Sequence, residues 1–333
     1  MTYQDFLSEW FNSKDHIIAH TSGSTGEPKE IELSKKFVSA SARRTNDFFK
    51  LMKGARFHSC VSPEFIGGKM MAVRSLLAEG RLAWETPSNQ PLKGINKQET
   101  IDLLAVVPSQ MIYILDHQEF LPKIKNIIIG GSAIHPELRK KIIKSGLNAY
   151  ETYGMTETAS HIALRKITDG RTPFITMQGI KVSVNEEDCL RIKFKSGEKV
   201  QTNDIAEILS EKEFFIKGRK DNVIISGGRK INPEEIEEKL NILINQPCCI
   251  TGFPDEKWGE KVVLIIQGEK TLPDINEKIR AILNPWEMPK EIHIVKELPR
   301  TSNGKIIRPK DPSFLSSSVP DTHLCDAERR KQG

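Results

Sequence analysis

The segment Thr21-Ser22-Gly23-Ser24-Thr25-Gly26-Glu27-Pro28-Lys29 concentrates more chemistry than any other stretch of the chain. Two glycines let the backbone turn tightly, so successive N–H groups converge on one point and form an anion nest. Thr21, Ser22, Ser24 and Thr25 add hydroxyl donors, and Lys29 adds a positive charge. That set suits phosphate oxygens. It is not a Walker A loop, because no Gly-Lys-Ser/Thr follows the glycines at the required spacing. A Ser/Gly linker is the plain alternative, but a linker needs neither this order nor a closing lysine.

A second group is Tyr153-Gly154-Met155-Thr156-Glu157. Tyr153 offers a ring face on which a base can stack. Thr156 offers a hydroxyl for a phosphate, and Glu157 an oxygen ligand suited to Mg²⁺. Later come Asp204, able to accept two ribose hydroxyls, and Arg219, placed for ribose or phosphate. Ser226-Gly227-Gly228 leads into Asn232-Pro233-Glu234-Glu235, a tight turn entering a helix. Near the end, Thr301-Ser302-Asn303-Gly304-Lys305 sets a lysine just after a glycine turn, where the ordinary reading is a solubilising surface lysine.

These residues need a scaffold. Up to about residue 152, short apolar runs (16–20, 57–61, 103–107, 127–129, 149–153) alternate with stretches of helical periodicity (34–51, 67–79, 108–116, 136–145). The alternation predicts βα units and a largely parallel sheet, with ligand loops at the carboxyl ends of its strands. From 162 to 217 short alternating runs separated by Gly, Asn and Asp predict antiparallel β structure. After residue 218 a small α+β unit is expected. The predicted organisation is an α/β fold: a large N-terminal domain over 1–217 with a β-rich part from about 162, a small mobile C-terminal domain over 218–312, and a disordered tail over 313–333.

These segments, in this order, resemble the acyl-adenylate-forming superfamily of acyl-CoA synthetases, adenylation domains and luciferases. The resemblance covers about residues 16–309. It implies ATP, Mg²⁺ and a carboxylic acid as ligands, with coenzyme A as co-substrate. It makes the loop from Thr21 to Lys29 a triphosphate loop. It makes Gly130-Gly131-Ser132-Ala133 the turn lining the acyl and adenine pockets, and Tyr153 to Glu157 the adenine and Mg²⁺ motif. Asp204 takes the place of the ribose aspartate and Arg219 of its companion. Asp221 falls at the hinge, Gly228 at the coenzyme A tunnel, and Lys305 at the catalytic lysine. The sequence departs from that pattern in three places. Little chain precedes the phosphate loop, which implies a trimmed N-terminal subdomain. Thr202-Asn203-Asp204 replaces Thr-Gly-Asp. Phe65 stands where a gating histidine is expected.

Two further stretches, Val106-Val107-Pro108-Ser109-Gln110 and 130–138 leading into Tyr153–Ser160, resemble the o-succinylbenzoate–CoA ligases of menaquinone biosynthesis. That resemblance sets Arg74 opposite the carboxylate that does not react; the rival reading puts Arg74 on the solvent side of its helix. Ser109 and Gln110 are candidates for the same pocket, with helix capping as their rival. Other aryl- or acyl-CoA ligases, a carrier-protein adenylation domain and an inactive nucleotide-binding homologue remain alternatives. His20, His58 and His161 are read as structural.

Composition agrees with a globular chain of 333 residues, 38% hydrophobic and 28% charged, with net charge +5. No basic run is interleaved with aromatics, so nucleic acid is not an expected partner. No apolar run spans a bilayer. The start lacks a signal-peptide pattern, and the five cysteines form no C-x-x-C pair, so reduced thiols and a cytoplasmic location are expected.

Overall fold

Ile127–Ile129 is an interior strand of the sheet that organises the first part of the chain, and all three residues are buried. An unbroken apolar run suits a parallel strand covered on both faces. Alternate residues serve opposite faces. Leu103, Ala105 and Ile128 join one core cluster, while Leu104, Val106, Ile127 and Ile129 join another. Lys35–Phe49 and Ile66–Leu77 supply helical side chains to the first cluster. Pro108–Asp116 and Pro136–Ser145 supply the second.

The computed structural model describes residues 1–21, 29–95, 99–269, 274–301 and 306–316. Two compact units divide it between Lys220 and Asp221. The first holds an eleven-stranded sheet. Its parallel half runs Arg81–Trp84, Arg56–Ser59, Leu103–Val106, Ile127–Ile129, Ala149–Met155. Its antiparallel half continues through Ser160–Lys166, Phe174–Thr176, Glu213–Arg219, Lys199–Ser210, Cys189–Phe194 and Ile180–Val184. The change from parallel to antiparallel falls where the sequence texture changes.

One expected sheet member lies elsewhere. His16–His20 pairs antiparallel with Glu30–Ser34 in a separate two-stranded sheet. The segment between them is too short for a crossover helix, so the chain reverses and pairs with itself. Ile17 and Ala19 point inward on one strand and Leu33 on the other.

The second unit comprises Asp221–Arg300 and the chain from Ile306. Gly259–Gln267 is its central strand, antiparallel to Cys248–Asp255 and parallel to Glu291–Val295. Ile224–Ser226 and Arg229–Ile231 form a hairpin turned by Gly227 and Gly228, both at positive φ (57° and 76°). Pro233–Leu240 packs on Cys248–Asp255 through Ile236 and Leu240. The tail expected from residue 313 begins instead with the helical turn Ser313–Ser316. Phe314 and Leu315 pack against the cluster of Cys249, Phe253 and Val295, which gives those residues an apolar anchor. Residues 317–333 lie outside the described residues.

Candidate active site

The two-stranded ladder extends to the ends of the Thr21–Lys29 segment. The Thr21 N–H donates to the Lys29 carbonyl at 3.0 Å, and the Lys29 N–H donates to Thr21 Oγ1 at 3.0 Å. The sequence 22–28 is thus held at both ends; Ser22, Gly23, Ser24, Thr25 and Gly26 themselves lie outside the described residues. Thr156 is buried and its hydroxyl lies 3.4 Å from the His20 carbonyl, which ties the turn after Ala149–Met155 to the strand feeding the loop. Glu157 follows, exposed, and makes no ion pair among the described residues. Gly154 is required by close approach: a Cβ there would stand 2.2 Å from the Ser160 carbonyl oxygen. Met155 closes the strand, and its N–H donates to Thr158 Oγ1 at 3.0 Å.

Gly131, Ser132 and Ala133 leave the carboxyl end of Ile127–Ile129. Gly131 has φ +93°, and a Cβ there would lie 3.3 Å from Val107 Cγ1. This turn and the one at Thr156 occupy adjacent strand ends, where an open α/β sheet binds ligands.

Tyr153, Asp204 and Arg219 are far apart in sequence and meet in the structure. Asp204 and Arg219 are register partners on antiparallel strands. Arg219 Nη1 donates to Asp204 Oδ1 at 3.0 Å, and the Tyr153 hydroxyl donates to Oδ2 at 2.6 Å. Burial, then the Asp204 charge, holds the Tyr153 pKa well above its ordinary value, so it stays a donor. Each Asp204 oxygen keeps a further lone pair for a sugar hydroxyl. The Tyr153 ring is set against Phe174 and Phe214, with centroids 5.7 and 5.3 Å away.

Arg74 does not lie on the solvent side of its helix. It is 1% exposed, the largest fully buried side chain among the described residues. The helix Ile66–Leu77 is buried along most of its circumference, so no wet face exists at this position. Its entry is equally tight: a Cβ on Gly68 would stand 2.2 Å from the Ser62 carbonyl oxygen. No described carboxylate pairs with Arg74. Its Nη2 lies 3.4 Å from Ser160 Oγ and 3.4 Å from His161 Nδ1, and its Nε has no partner. Burial pulls the guanidinium pKa down to about 9, which leaves it cationic at neutral pH.

His161 is more than a space-filling histidine. Arg74 can only donate, so Nδ1 is the acceptor and Nε2 carries the hydrogen. Nε2 lies 3.0 Å from Thr45 Oγ1, on the neighbouring helix Lys35–Phe49. The sequence signal for this network was thin, since Thr45 and His161 are separated by 116 positions.

One pocket candidate is otherwise employed. Gln110 is 3% exposed, with Oε1 accepting from the Val107 N–H at 3.0 Å. Its Nε2 donates to the Cys60 and Ser88 carbonyls at 2.8 and 3.1 Å. It is a structural tie between three strand-end segments, so the capping reading holds. Ser109 is exposed in the first turn of the same helix. Phe65 is the half-buried N-cap of the Arg74 helix.

In the smaller unit, Gly228 opens onto space, with nothing within 4 Å of an added Cβ. Asp221 is that unit's first residue. Lys305 lies outside the described residues, but the chain on either side of it is fixed. Arg300 and Ile306 form an antiparallel bridge, and the Ile307 N–H donates to the Pro299 carbonyl at 2.8 Å. Arg308 then forks onto Glu237, with Nη2 2.8 Å from Oε2 and Nη1 donating to Oε1. Burial pulls the Arg308 pKa down, but the bond to Glu237 outweighs it and the net direction is up.

Comparison with known proteins identifies the family. The model of the AMP-binding enzyme family matches residues 9–217, and that of its C-terminal domain matches 245–305. A 2–succinylbenzoate–CoA ligase of Lactococcus lactis is 25% identical over 89% of this chain and 70% of its own length. The structure of an acyl-CoA synthetase (AMP-forming)/AMP-acid ligase II-like protein from Dyadobacter fermentans is 31% identical, with TM-score 0.60, covering 94% of this chain and 92% of that one. An o-succinylbenzoate CoA synthetase from Bacillus subtilis, solved with its acyl-adenylate intermediate, shares the fold at TM-score 0.76 and 19% identity, covering 87% of this chain and 67% of that one. No described helix is long and apolar enough to cross a membrane. The chain therefore belongs to the AMP-binding enzyme family, as an ATP-dependent, AMP-forming acid–CoA ligase.

Proposed function

We propose that this chain converts o-succinylbenzoate to its coenzyme A thioester through an acyl-adenylate, a step of menaquinone biosynthesis. Relatives of that activity align along most of the chain. The observation that carries the choice of acid is Arg74, a buried cation that no described carboxylate neutralises. An uncompensated buried charge is costly. A dicarboxylate relieves it with the group that does not react, whereas a monoacid leaves it unpaired.

The first half-reaction joins the other carboxylate to the α-phosphorus of ATP and expels pyrophosphate. Both partners are anionic, so catalysis rests on positioning and charge neutralisation. The loop between Thr21 and Lys29 holds the phosphates. Asp204, with Tyr153 and Arg219, orients the ribose and base, and the turn Gly131-Ser132-Ala133 lines the adenine and acyl pockets. Thr156 donates to the α-phosphate, and Lys305 bridges it to the acid. Glu157 is exposed and unpaired among the described residues, which fits a Mg²⁺ ligand; the ion would neutralise phosphate charge. In the second half-reaction the coenzyme A thiolate attacks the acyl carbon and AMP leaves. The small domain turns about Asp221 for this step, and the bare Gly228 leaves room for the pantetheine arm.

ATP–pyrophosphate exchange with a panel of o-succinylbenzoate, benzoate and fatty acids tests the assignment. Exchange should be strongest with o-succinylbenzoate. Arg74→Ala should raise KM for that acid by about tenfold to a hundredfold, the loss of one charge-assisted contact, while KM for ATP holds. An unchanged KM for the acid would remove it as the substrate.

A further inference from the structure

We propose that His58, Cys60 and Glu85 form a binding site for a divalent transition-metal ion of the zinc class. His58 belongs to Arg56–Ser59 and Cys60 follows that strand; two apart on extended chain, they face the same side. Glu85 follows Arg81–Trp84, the parallel neighbour paired as His58↔Ala83 and Ser59↔Trp84. The Glu85 N–H donates to the Ser59 carbonyl at 3.2 Å, extending the ladder to the carboxylate.

The imidazole, thiol and carboxylate donor atoms all lie within 4.8 Å of one another. His58 is 6% exposed, and neither ring nitrogen has a hydrogen-bond partner among the described residues. Its Nε2 is 3.7 Å from Glu85 Oε2, beyond hydrogen-bond reach. A buried imidazole with neither nitrogen hydrogen-bonded is a polar debt, and an ion at this point would satisfy the nitrogen that ligates it. Sulfur beside nitrogen and oxygen selects zinc-class ions over Mg²⁺ or Ca²⁺. Three protein donors leave a fourth position for water.

Outer contacts hold the ligands in place. Both Glu85 oxygens accept from the Leu92 N–H, at 3.0 and 3.1 Å. Gln110 Nε2 donates to the Cys60 carbonyl at 2.8 Å, which gives that buried amide a purpose apart from substrate binding. Binding exchanges the thiol proton for the metal and releases it to solvent, with no change of oxidation state.

The test uses the full chain, stripped with a chelator and titrated with Co²⁺. The expected result is about one equivalent bound, with a thiolate-to-cobalt charge-transfer band that Zn²⁺ abolishes by displacement. Cys60→Ser should lose the band. His58→Gln and Glu85→Gln should weaken binding about tenfold or more, the scale on which even outer partners act. The native chain decides first. If it develops no thiolate–cobalt band, the three side chains do not bind a metal together and the proposal falls, whatever the variants do. A band of equal strength in Cys60→Ser would assign it to another cysteine and overturn the proposal equally.

Discussion

His161 is enclosed against two arginines, and burial, then the Arg74 and Arg44 charges, hold its pKa well below the ordinary value. An unfolded histidine titrates near about 6.5. Below that pH the unfolded chain takes up a proton that the folded site refuses. The sign follows: this stability is complete above the unfolded pKa and is lost as pH falls toward the depressed folded value. The slope reaches about 1.4 kcal/mol per pH unit for one proton. Urea unfolding of the native chain and of His161→Gln, compared at pH 7 and pH 5, should give a smaller acid loss in the variant. Equal losses would mean that another group carries the proton. Single residues were legible in sequence where a motif named them, as with Tyr153, Asp204 and Arg219. Arg74 was legible as a residue type but not as a direction, because its helix is apolar on nearly every side. The partners of Gln110 were not legible for a similar reason: its amide donates to the carbonyls of Cys60 and Ser88, which no local pattern reveals.

At the level of elements, two sequence segments rich in candidate chemistry are clamped in the same way. Thr21 and Lys29 close one by paired backbone and side-chain bonds, and Arg300 and Ile306 close the other by a strand bridge. A clamp fixes where a short glycine-bearing segment starts and ends. The second clamp depends on Arg308, whose side chain reaches Glu237, Glu234 and the Ile250 carbonyl. Arg308→Ala leaves Glu237 buried with no cation. Removal of one partner from such a pair costs about 3–5 kcal/mol. Denaturant unfolding should register that loss in the transition of the smaller unit, and a loss below about 1 kcal/mol would show that the pair is solvated. Strand and helix periods made most elements readable in advance. The strand Glu30–Ser34 was hidden because its hairpin partner lies across a loop with no apolar pattern. Arg81–Trp84 was hidden because three of its four residues are exposed on a sheet edge.

At the scale of the whole molecule, the candidate functional residues are divided between two units. Tyr153, Asp204 and Thr156 belong to the larger, whereas Gly228, Arg300 and Ile306 belong to the smaller and Thr301 groups with the larger. The order of motifs along the sequence announced this division, because antiparallel texture gives way to a new α+β pattern near residue 218. What no sequence pattern carries is the timing by which two units serve one reaction. A lysine that bridges acid and α-phosphate is needed while the phosphorus is attacked. In the proposed mechanism that lysine would cover a face of the adenylate and would have to leave before a thiol reached the acyl carbon. Its chemistry is thus confined to one of two half-reactions. Lys305→Ala should lower ATP–pyrophosphate exchange by about a hundredfold to a thousandfold or more, the scale for removing a preorganised charge from a transition state. Thioester formation from pre-made o-succinylbenzoyl-adenylate should stay within about threefold of the native rate, since no step after adenylation asks for that cation. The two rates are measured separately, the first by isotope exchange and the second by AMP release on adding coenzyme A. If both fall together, Lys305 supports the fold or the acyl pocket generally, and the assignment of one lysine to one half-reaction is wrong.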